Sequence, residues 1–449
     1  MHRLVGLLAV AALAACGGDG DGLTGPQTGT AACSNDGQKQ FVLDNLYAWY
    51  LWNDLLPANI SIDDYASPEI LIAEVTTQFG PQDANGNPID LFSSVGSLQA
   101  DTQFFGEGKF EGFGFSWRLI AADEPRLSRV FAGSPAEAGG LARGQRIVRL
   151  NGRTIADIQA NEGISAVFDN ATVTFEMERV DLSTFTTTIT KDIVTIDPIP
   201  QWRLIDIGPG LPPVGYMELA TFISTADPVF DTVFAAFRNA GVNDVIIDLR
   251  YNGGGLVSTA DLLGDYLGGD VAENLIFSST EFNADRAPSN NSTELFERLA
   301  NSMNLSRLVV IATRGTASAS ELVTNGMIPH VETWIVGDNT FGKPVGQIGL
   351  EFCEKIMRPT AFRLANADGD GEYFDGLPVD CPAADDWSVA VGADTDPNMV
   401  AAMSLFNTGA CPVAATPGGQ FKIQPAAESP QGDWEYRRGR PERELLNAY

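Results

Sequence analysis

Histidine is nearly absent from this chain, with His2 and His330 as the two examples among 449 residues. His2 lies in an N-terminal segment that we expect to be cleaved off, which leaves one histidine for chemistry. A serine nucleophile needs a base within hydrogen-bond reach, and histidine is the side chain that most often provides it. The scarcity disfavours a histidine-based hydrolase and leaves a buried, deprotonated lysine as the alternative base. It also disfavours a zinc site, and we predict no metal and no other cofactor.

Basic residues are scarce as well. The chain has 28 Lys and Arg against 58 Asp and Glu, a formal net charge of −30. A nucleic-acid partner requires a basic stripe that can face the phosphates, so we expect no nucleic acid to bind. The acidic excess is typical of a solvated surface that resists self-association, and it identifies no function by itself.

A long apolar run is missing too. The run from Leu4 to Leu13 is too short to span a bilayer, which takes about 20 apolar residues. Arg3 precedes it and Ala14-Ala15-Cys16 closes it, which is signal-peptide anatomy. A cysteine directly after small residues resembles the lipobox of bacterial lipoproteins. We therefore predict a lipoprotein signal peptide over residues 1–15, lipidation of Cys16 and a flexible tether over residues 16–33. The alternative is a plain secretory signal with an incidental cysteine.

Lipidation of Cys16 implies contact with a membrane through the N-terminus alone. We expect the protein in the bacterial cell envelope, lipid-anchored at the outer membrane and facing the periplasm or the extracellular side. Because that compartment is oxidising, the four remaining cysteines can form two disulfides, with three possible pairings. We expect the pairs Cys353–Cys381 and Cys33–Cys411.

Apolar residues recur at helical spacing between Asp36 and Leu56, and Ser67-Pro68-Glu69 is a typical start of a second helix. Residues 34–103 are therefore predicted to form a helical N-terminal module.

Short β-like runs and glycines dominate residues 104–196. The series Ser134-Pro135-Ala136-Glu137, then Gly144-Gln145 and Asn151-Gly152, resembles a PDZ domain. The resemblance implies that the loop of Gly112, Phe113, Gly114 and Phe115 presents main-chain N–H groups to the C-terminal carboxylate of a peptide, which adds as a strand to the sheet. Gln145 stands where bacterial members usually have aspartate.

Apolar strands followed by loops and helices begin near residue 200. Examples are Val245–Leu249, Leu308–Ala312 and Thr333–Val336. This order predicts parallel strands covered by helices, with the active-site loops at the strand C-termini. The whole chain is thus expected to be a multidomain α+β and α/β protein, with a core of mixed sheet and covering helices over residues 197–411 and a tail over residues 412–449.

Ser318 follows one of these strands and precedes a helical pattern. At a helix start the amide of the next residue, Ala319, has no partner within the helix and can stabilise a developing oxyanion. A second donor could be Gly254, because a glycine-rich loop allows close approach of the main chain.

Lys343 follows the next strand, so the fold can bring it to Ser318, and Gln347 could orient its amine through the amide oxygen. Glu321 lies one turn after Ser318. A carboxylate that touches the amine would favour its charged form and prevent base catalysis, so Glu321 is assigned a structural role.

The segments Gly315-Thr316-Ala317-Ser318-Ala319-Ser320-Glu321 and Thr340-Phe341-Gly342-Lys343, with Arg250-x-Asn252-x-Gly254-Gly255 upstream, strongly resemble the carboxy-terminal processing (tail-specific) proteases. The resemblance covers about residues 104–365. It implies a serine endopeptidase with Ser318 as nucleophile, Lys343 as general base, Gln347 as its orienting partner, and Gly254 and Ala319 as the oxyanion hole. It also implies protein substrates with accessible, often apolar, free C-termini.

Two departures from that family are Pro344 after the lysine, where glycine is usual, and Gly346 before the glutamine, where valine is common. They bear on specificity more than on the chemistry. Two rival functions are a non-catalytic PDZ-type scaffold and a hydrolase of small esters or amides. A regulatory lipoprotein or a second copy of the chain is a further possible partner.

Residues 366–376 partly match a calcium loop, but Leu377 occupies the position of the bidentate glutamate, so an acidic turn is the preferred interpretation.

Overall fold

The computed structural model describes residues 32–121 and 123–412. The predicted signal peptide, the lipidation site Cys16, most of the tether and the tail beyond residue 412 lie outside the described residues. Among the described helices, none is long and apolar enough to cross a membrane.

The N-terminal module starts its helices with serine caps. The hydroxyls of Ser34 and Ser67 accept hydrogen bonds from first-turn N–H groups, at 3.1 and 3.3 Å, which satisfies amides that have no partner within the helix. The apolar core of the module also contains Phe352 and Met357, so it is packed onto a later part of the chain. Its elements are α1 (Asn35–Trp49), 3-10 turns at Asn53–Leu55 and Ile62–Asp64, α2 (Pro68–Phe79), β1 (Ser94–Ser97) and α3 (Leu98–Glu107).

The middle unit is an antiparallel sheet with its own aromatic core. Val173, Phe175 and Met177 alternate with partly exposed residues along one strand, as expected for a strand with one buried face. The elements are β2 (Lys109–Gly112), β3 (Phe115–Leu119), β4 (Pro125–Val130), α4 (Pro135–Ala138), β5 (Arg146–Leu150), β6 (Arg153–Thr154), α5 (Ile155–Asn161), α6 (Ile164–Val167), β7 (Thr172–Glu178), β8 (Thr184–Thr190) and β9 (Asp192–Thr195). The strand order is β3-β4-β5-β7-β8, with β6 paired to β5, while β2 pairs with β9 in a separate ribbon.

The elements that follow form the α/β core and its second sheet. They are β10 (Gln201–Ile205), β11 (Val214–Glu218), a 3-10 turn at Ser224–Ala226, α7 (Asp227–Asn239), β12 (Asp244–Asp248), α8 (Val257–Gly268), β13 (Ile276–Phe282), α9 (Ala287–Asn290), β14 (Ser292–Leu295), β15 (Arg307–Ala312), α10 (Ala319–Met327), β16 (Glu332–Gly337), β17 (Val345–Gln347), β18 (Leu350–Phe352), β19 (Lys355–Arg358), β20 (Thr360–Ala365), β21 (Cys381–Pro382) and α11 (Pro397–Thr408).

The main sheet is mixed and covered on both faces. Its order is β10-β11-β12-β15-β16-β21, in which β10 is antiparallel to β11 and the other pairs are parallel. Val245 and Ile247 of β12 pack in the cluster with α7, α8 and α10, whereas Ile246 packs in the cluster with α11. Successive strand residues point to opposite faces, so two covered faces explain the continuous apolar run. The predicted fold class is confirmed.

A second, smaller sheet has the order β14-β13-β20-β17, and the β18–β19 hairpin pairs with β1 of the N-terminal module. The strand β17, which contains Gln347, pairs with β20 at the edge of this second sheet.

The predicted disulfide pairing is wrong. The structure joins Cys33 to Cys353 and Cys381 to Cys411, with Cα–Cα distances of 5.9 and 5.6 Å. The residue before Cys353, Phe352, stacks on Phe41 of α1, so packing of the hairpin on the N-terminal module brings Cys353 to Cys33. Cys381 lies on β21 beside β16, and Cys411 follows α11, which packs on the same sheet.

Candidate active site

The loops that contain the predicted site residues follow three neighbouring parallel strands. β12 leads to residues 249–255, β15 leads to residues 313–318, and β16 leads to residues 338–344. The C-terminal ends of parallel strands meet at one edge of a sheet, so the three loops converge there.

Ser318 immediately precedes the first residue of α10 and has φ +55° and ψ −117°. A residue with a side chain seldom adopts this conformation, which costs on the order of 1–3 kcal/mol and persists only where the surroundings impose it. The preceding residues are held by two hydrogen bonds, from Thr316 Oγ1 to the carbonyl of Leu249 (2.7 Å) and from the Ala317 N–H to the carbonyl of Asn252 (3.0 Å). The loop thus presents the serine at a strained, fixed position.

Glu321 joins the serine loop to the lysine loop. Its Oε2 accepts the N–H groups of Ser318 (2.9 Å) and Lys343 (2.8 Å), and its Oε1 accepts the Gly342 N–H (2.7 Å) and the Thr340 hydroxyl (2.5 Å). The side chain is fully buried, and burial raises its pKa while these four donors oppose the rise. The carboxylate bonds the main chain of Lys343, consistent with a structural role.

Lys343 is 6% exposed, and its Nζ donates a hydrogen bond to Gln347 Oε1 at 3.0 Å. The Nε2 group of Gln347 donates to the carbonyls of Phe92 (2.9 Å) and Arg358 (3.0 Å). Two carbonyls can only accept, so they define which end of the amide is nitrogen and turn the oxygen towards the lysine. The orientation of Gln347 is therefore determined by main-chain groups on either side of it.

Ser318 and Lys343 are brought to one site, because their N–H groups share the same carboxylate oxygen. Their side chains make no direct hydrogen bond with each other in the described part of the chain. Proton transfer between them requires a closer approach than this structure shows.

The two predicted oxyanion donors differ in their surroundings. Among the described residues no group accepts a hydrogen bond from the Ala319 N–H, whereas the Gly254 N–H donates to Asn252 Oδ1 at 2.9 Å. Gly254 has φ +109°, and a Cβ there would lie 2.7 Å from the Ser318 Cβ. The position therefore requires glycine, but its N–H is occupied by a side chain in this structure.

Asn252 is a central residue to which the sequence analysis assigned no role. It is fully buried, and its Nδ2 donates to the carbonyl of Leu219 at 2.9 Å. Its carbonyl accepts from the Ala317 N–H and from Ser320 Oγ, both at 3.0 Å. One residue thereby connects the glycine loop to the serine loop. Its place in the Arg-x-Asn-x-Gly-Gly motif was the available signal.

Arg250 anchors the start of the same loop. It is 2% exposed and donates to Asp248 and Asp396, each at 2.6 Å. The next residue, Tyr251, has φ +64°, and its hydroxyl accepts from Arg143 of the middle unit at 2.7 Å. The contacts with Asp396 and Arg143 join distant parts of the chain and leave no local signal in the sequence.

The predicted carboxylate-binding loop lies directly before β3. Phe113 and Phe115 point into the core of the middle unit. The Phe113 carbonyl accepts from the Ala136 N–H at 2.8 Å, and Gly114 has φ +89°. Within the described residues, the N–H groups of Phe113 and Gly114 make no hydrogen bond, which is the state that carboxylate capture requires.

The departure at Gly346 has a structural explanation. A Cβ on Gly346 would lie 2.1 Å from the ring of Phe362, so that ring fills the space above the glycine. Pro344 has no N–H, but its carbonyl accepts from the Leu364 N–H at 3.0 Å.

In the acidic segment of residues 366–376, Asn366 Oδ1 accepts from the N–H groups of Asp368 (3.0 Å) and Asp370 (2.9 Å), which forms a turn.

Comparison with known proteins gives matches to the N-terminal module and to the α/β core. The profile of peptidase family S41 matches residues 213–380, and the profile of the peptidase S41 N-terminal domain matches residues 37–117. The chain is 30% identical over 242 residues to the chloroplastic C-terminal processing peptidase of Tetradesmus obliquus, covering 49% of this chain and 48% of that protein. It is 23% identical over 248 residues to the carboxy-terminal processing protease CtpA of Bacillus subtilis, covering 55% and 50%. The chain thus spans about half the length of these relatives.

Solved structures share the fold. A putative S41 protease from Bacteroides fragilis superposes with a TM-score of 0.62 at 22% identity, covering 82% of this chain and 97% of that one. The photosystem II D1 C-terminal processing protease superposes with a TM-score of 0.51 at 19% identity, covering 78% and 93%. The N-terminal profile ends within β3 of the middle unit, and the profile of peptidase family S41 includes the loops with Ser318 and Lys343. On these matches the predicted family is confirmed, and the chain belongs to peptidase family S41.

Proposed function

We propose that this chain is a serine endopeptidase that cleaves proteins with accessible, often apolar C-terminal tails. The observation that carries the proposal is the arrangement of Lys343, whose buried amine is directed by Gln347 while Glu321 joins its loop to that of Ser318. A neutral amine that donates one hydrogen to Gln347 retains a lone pair for the serine proton.

The reaction is acyl transfer in two steps. Ser318 Oγ attacks the peptide carbonyl carbon as Lys343 Nζ takes its proton, and the same proton then goes to the leaving amine when the C–N bond breaks. In the second step a water molecule attacks the acyl-enzyme, Lys343 takes a proton from it, and Ser318 recovers its proton as the ester bond breaks. Gln347 holds the amine in place throughout.

The oxyanion of each tetrahedral intermediate is stabilised by the Ala319 N–H and, in our proposal, by the Gly254 N–H. The role of the Ala319 N–H is supported by the fact that it donates to no other group among the described residues. The second donor must leave Asn252 Oδ1 before it can serve. Substrate binding is therefore expected to displace the Asn252 side chain or turn the Gly254 peptide, and a bound oxyanion compensates for the lost hydrogen bond.

The middle unit, in this proposal, is a PDZ-type module that captures the substrate tail. The unbonded N–H groups of Phe113 and Gly114 support carboxylate binding there. The contact between Arg143 and Tyr251 connects the unit to the glycine loop, so tail capture and the active site are physically linked.

We further propose that the protein is exported and attached to a bacterial envelope membrane by a lipid on Cys16. The support is the signal-peptide pattern over residues 1–16. Labelling of growing cells with a radioactive or alkynyl fatty acid should mark the wild type, and a Cys16→Ser variant should remain unlabelled.

The activity is tested with the full chain and its Ser318→Ala and Lys343→Ala variants on an unfolded protein that ends in apolar residues, with fragments identified by mass spectrometry. Cleavage by the wild type alone supports the proposal. Binding of the tail without cleavage by any of the three proteins supports the scaffold alternative. Cleavage that ignores the substrate C-terminus contradicts the tail-specific part.

A further inference from the structure

The proposed base is in contact with a segment of the N-terminal module. The ring of Phe92 has its centroid 4.9 Å from Lys343 Nζ, and the Phe92 carbonyl accepts a hydrogen bond from Gln347 Nε2 at 2.9 Å. Phe92 therefore touches both members of the Lys343–Gln347 pair although it lies far from them in the sequence.

A network centred on Asp90 holds this segment in place. Asp90 is fully buried, and its Oδ1 accepts from the Phe92 N–H (3.0 Å) and from Thr360 Oγ1 (2.9 Å). The hydroxyl of Ser93 donates to Asp90 Oδ2 at 2.5 Å and accepts from the Thr360 N–H at 2.9 Å. Thr360 begins β20, the strand that pairs with β17, where Gln347 lies. The module is thus anchored to the sheet that contains the base's partner.

The ring also has a specific place among the groups around the amine. From α10, Glu321 bonds the main chain of Lys343, and from β17, Gln347 bonds its Nζ. On β19, Arg358 is paired with Asp101 at 2.6 Å. The half-buried ring of Phe92 lies against Nζ and is itself packed edge-on against Phe341. Removal of the ring would therefore expose Nζ to water.

Water and an aromatic ring have different effects on a lysine. A ring face attracts an ammonium ion weakly, whereas water solvates it strongly, so replacement of the ring by water favours the charged, non-basic form. A lysine that acts as a base needs the opposite, which is exclusion of water from its amine.

We propose that Phe92 is a positioning residue for the active site: its ring keeps water from Lys343 Nζ and its carbonyl orients Gln347. This inference rests on the proposed function for its catalytic part. It makes the N-terminal module a component of the site, and the protease-like core without that module lacks a wall around its base.

The kinetic test compares Phe92→Ala, which opens the wall, with Phe92→Leu, which keeps apolar bulk. Phe79→Ala is the matched control, because Phe79 is a partly buried aromatic residue of the same module that packs in its core. For Phe92→Ala we expect kcat/KM to fall at least about tenfold, with the loss in kcat and little change in KM, because the ring contacts the proposed base and not the substrate. Phe92→Leu and Phe79→Ala should keep the wild-type kcat. A loss confined to KM, an equal loss in Phe92→Leu, or no loss would overturn the proposal.

A second test does not depend on activity. The full-length proteins are treated briefly with an amine-acetylating reagent, and modification of Lys343 is compared by mass spectrometry with that of Lys109, whose side chain is 42% exposed. Lys343 should react much more slowly than Lys109 in the wild type and in Phe92→Leu, and at least about tenfold faster in Phe92→Ala. If the wild type cleaves nothing but this pattern is found, the proposed activity fails while the shielding by Phe92 stands. If Lys343 of the wild type reacts as fast as Lys109, the shielding is refuted.

Discussion

Replacement of Glu321 by glutamine is the sharpest test of how the site is assembled. The substitution keeps the shape of the side chain but turns one of two acceptor oxygens into an NH₂ group, and each oxygen accepts two hydrogen bonds. If the amide oxygen stays with Ser318 and Lys343, its NH₂ group faces the Gly342 N–H and the hydroxyl of Thr340. Either orientation opposes donors to donors in a fully buried place.

The magnitude follows from the number of donors that lose an acceptor. Each buried, unsatisfied donor costs about 1–3 kcal/mol. Because the Thr340 hydroxyl can turn and accept from the NH₂ group, the better orientation leaves the Gly342 N–H unsatisfied. Removal of the buried charge offsets part of this cost, since burial raises the pKa of Glu321 and so disfavours the carboxylate. We expect Glu321→Gln to lower the free energy of unfolding by about 1–2 kcal/mol. A shift of the lysine loop by about 1 Å should reduce kcat/KM about 100-fold.

The assay measures urea and thermal unfolding together with cleavage of the tail-bearing substrate. Glu351→Gln is the control, because it makes the same chemical change at an exposed position on β18. If Glu321→Gln unfolds and cleaves like the wild type, the carboxylate is not what joins the two loops. Loss of activity with unchanged stability would show that its hydrogen bonds matter for the reaction and not for folding.

Three further predictions concern packing, pH and covalent structure. Gly346→Val should destabilise the protein through its clash with the Phe362 ring, and Phe362→Ala in the same chain should restore part of the loss, measured as thermal midpoints of the single and double variants. Burial raises the pKa of Asp261 from 3.8 to about 7, so the folded state keeps a proton that the unfolded chain releases. Stability should therefore fall by up to about 4 kcal/mol from this group as the pH rises from about 4 to about 7. In urea titrations Asp261→Asn should reduce the fall, and the part due to Asp265, whose pKa burial raises to about 6, should remain. Peptide mapping without reduction should recover Cys33 joined to Cys353, and recovery of a Cys33–Cys411 peptide would contradict the structure.

Several features of the fold were predictable because their signals are local. A strand, a loop and a helix start follow one another around Ser318, and the continuous apolar run of Val245–Leu249 is typical of a strand covered on both faces. The pairs Ser67-Pro68 and Ser134-Pro135 mark helix starts that the structure contains. Short-range patterns of this kind depend on neighbours within a few residues.

Contacts between residues far apart in the chain were not predictable in the same way. The disulfide pairing was wrong, because which cysteines meet depends on how α1 packs on the β18–β19 hairpin. The contacts of Phe92 and Asp90 were missed for the same reason, since neither residue belongs to a motif around Ser318 or Lys343.

The sequence alone determined that a serine at a helix start, a lysine loop and a glycine loop would meet at one edge of a parallel sheet, because strand order and loop position follow from local patterns. The tertiary structure alone decided what these groups contact. It placed the Gly254 N–H on Asn252 Oδ1, directed Glu321 to the main chain of Lys343, and brought the ring of Phe92 to 4.9 Å from the Lys343 amine. Hydrogen-bond partners and exclusion of water depend on the final packing of all three modules, and no short segment contains that information.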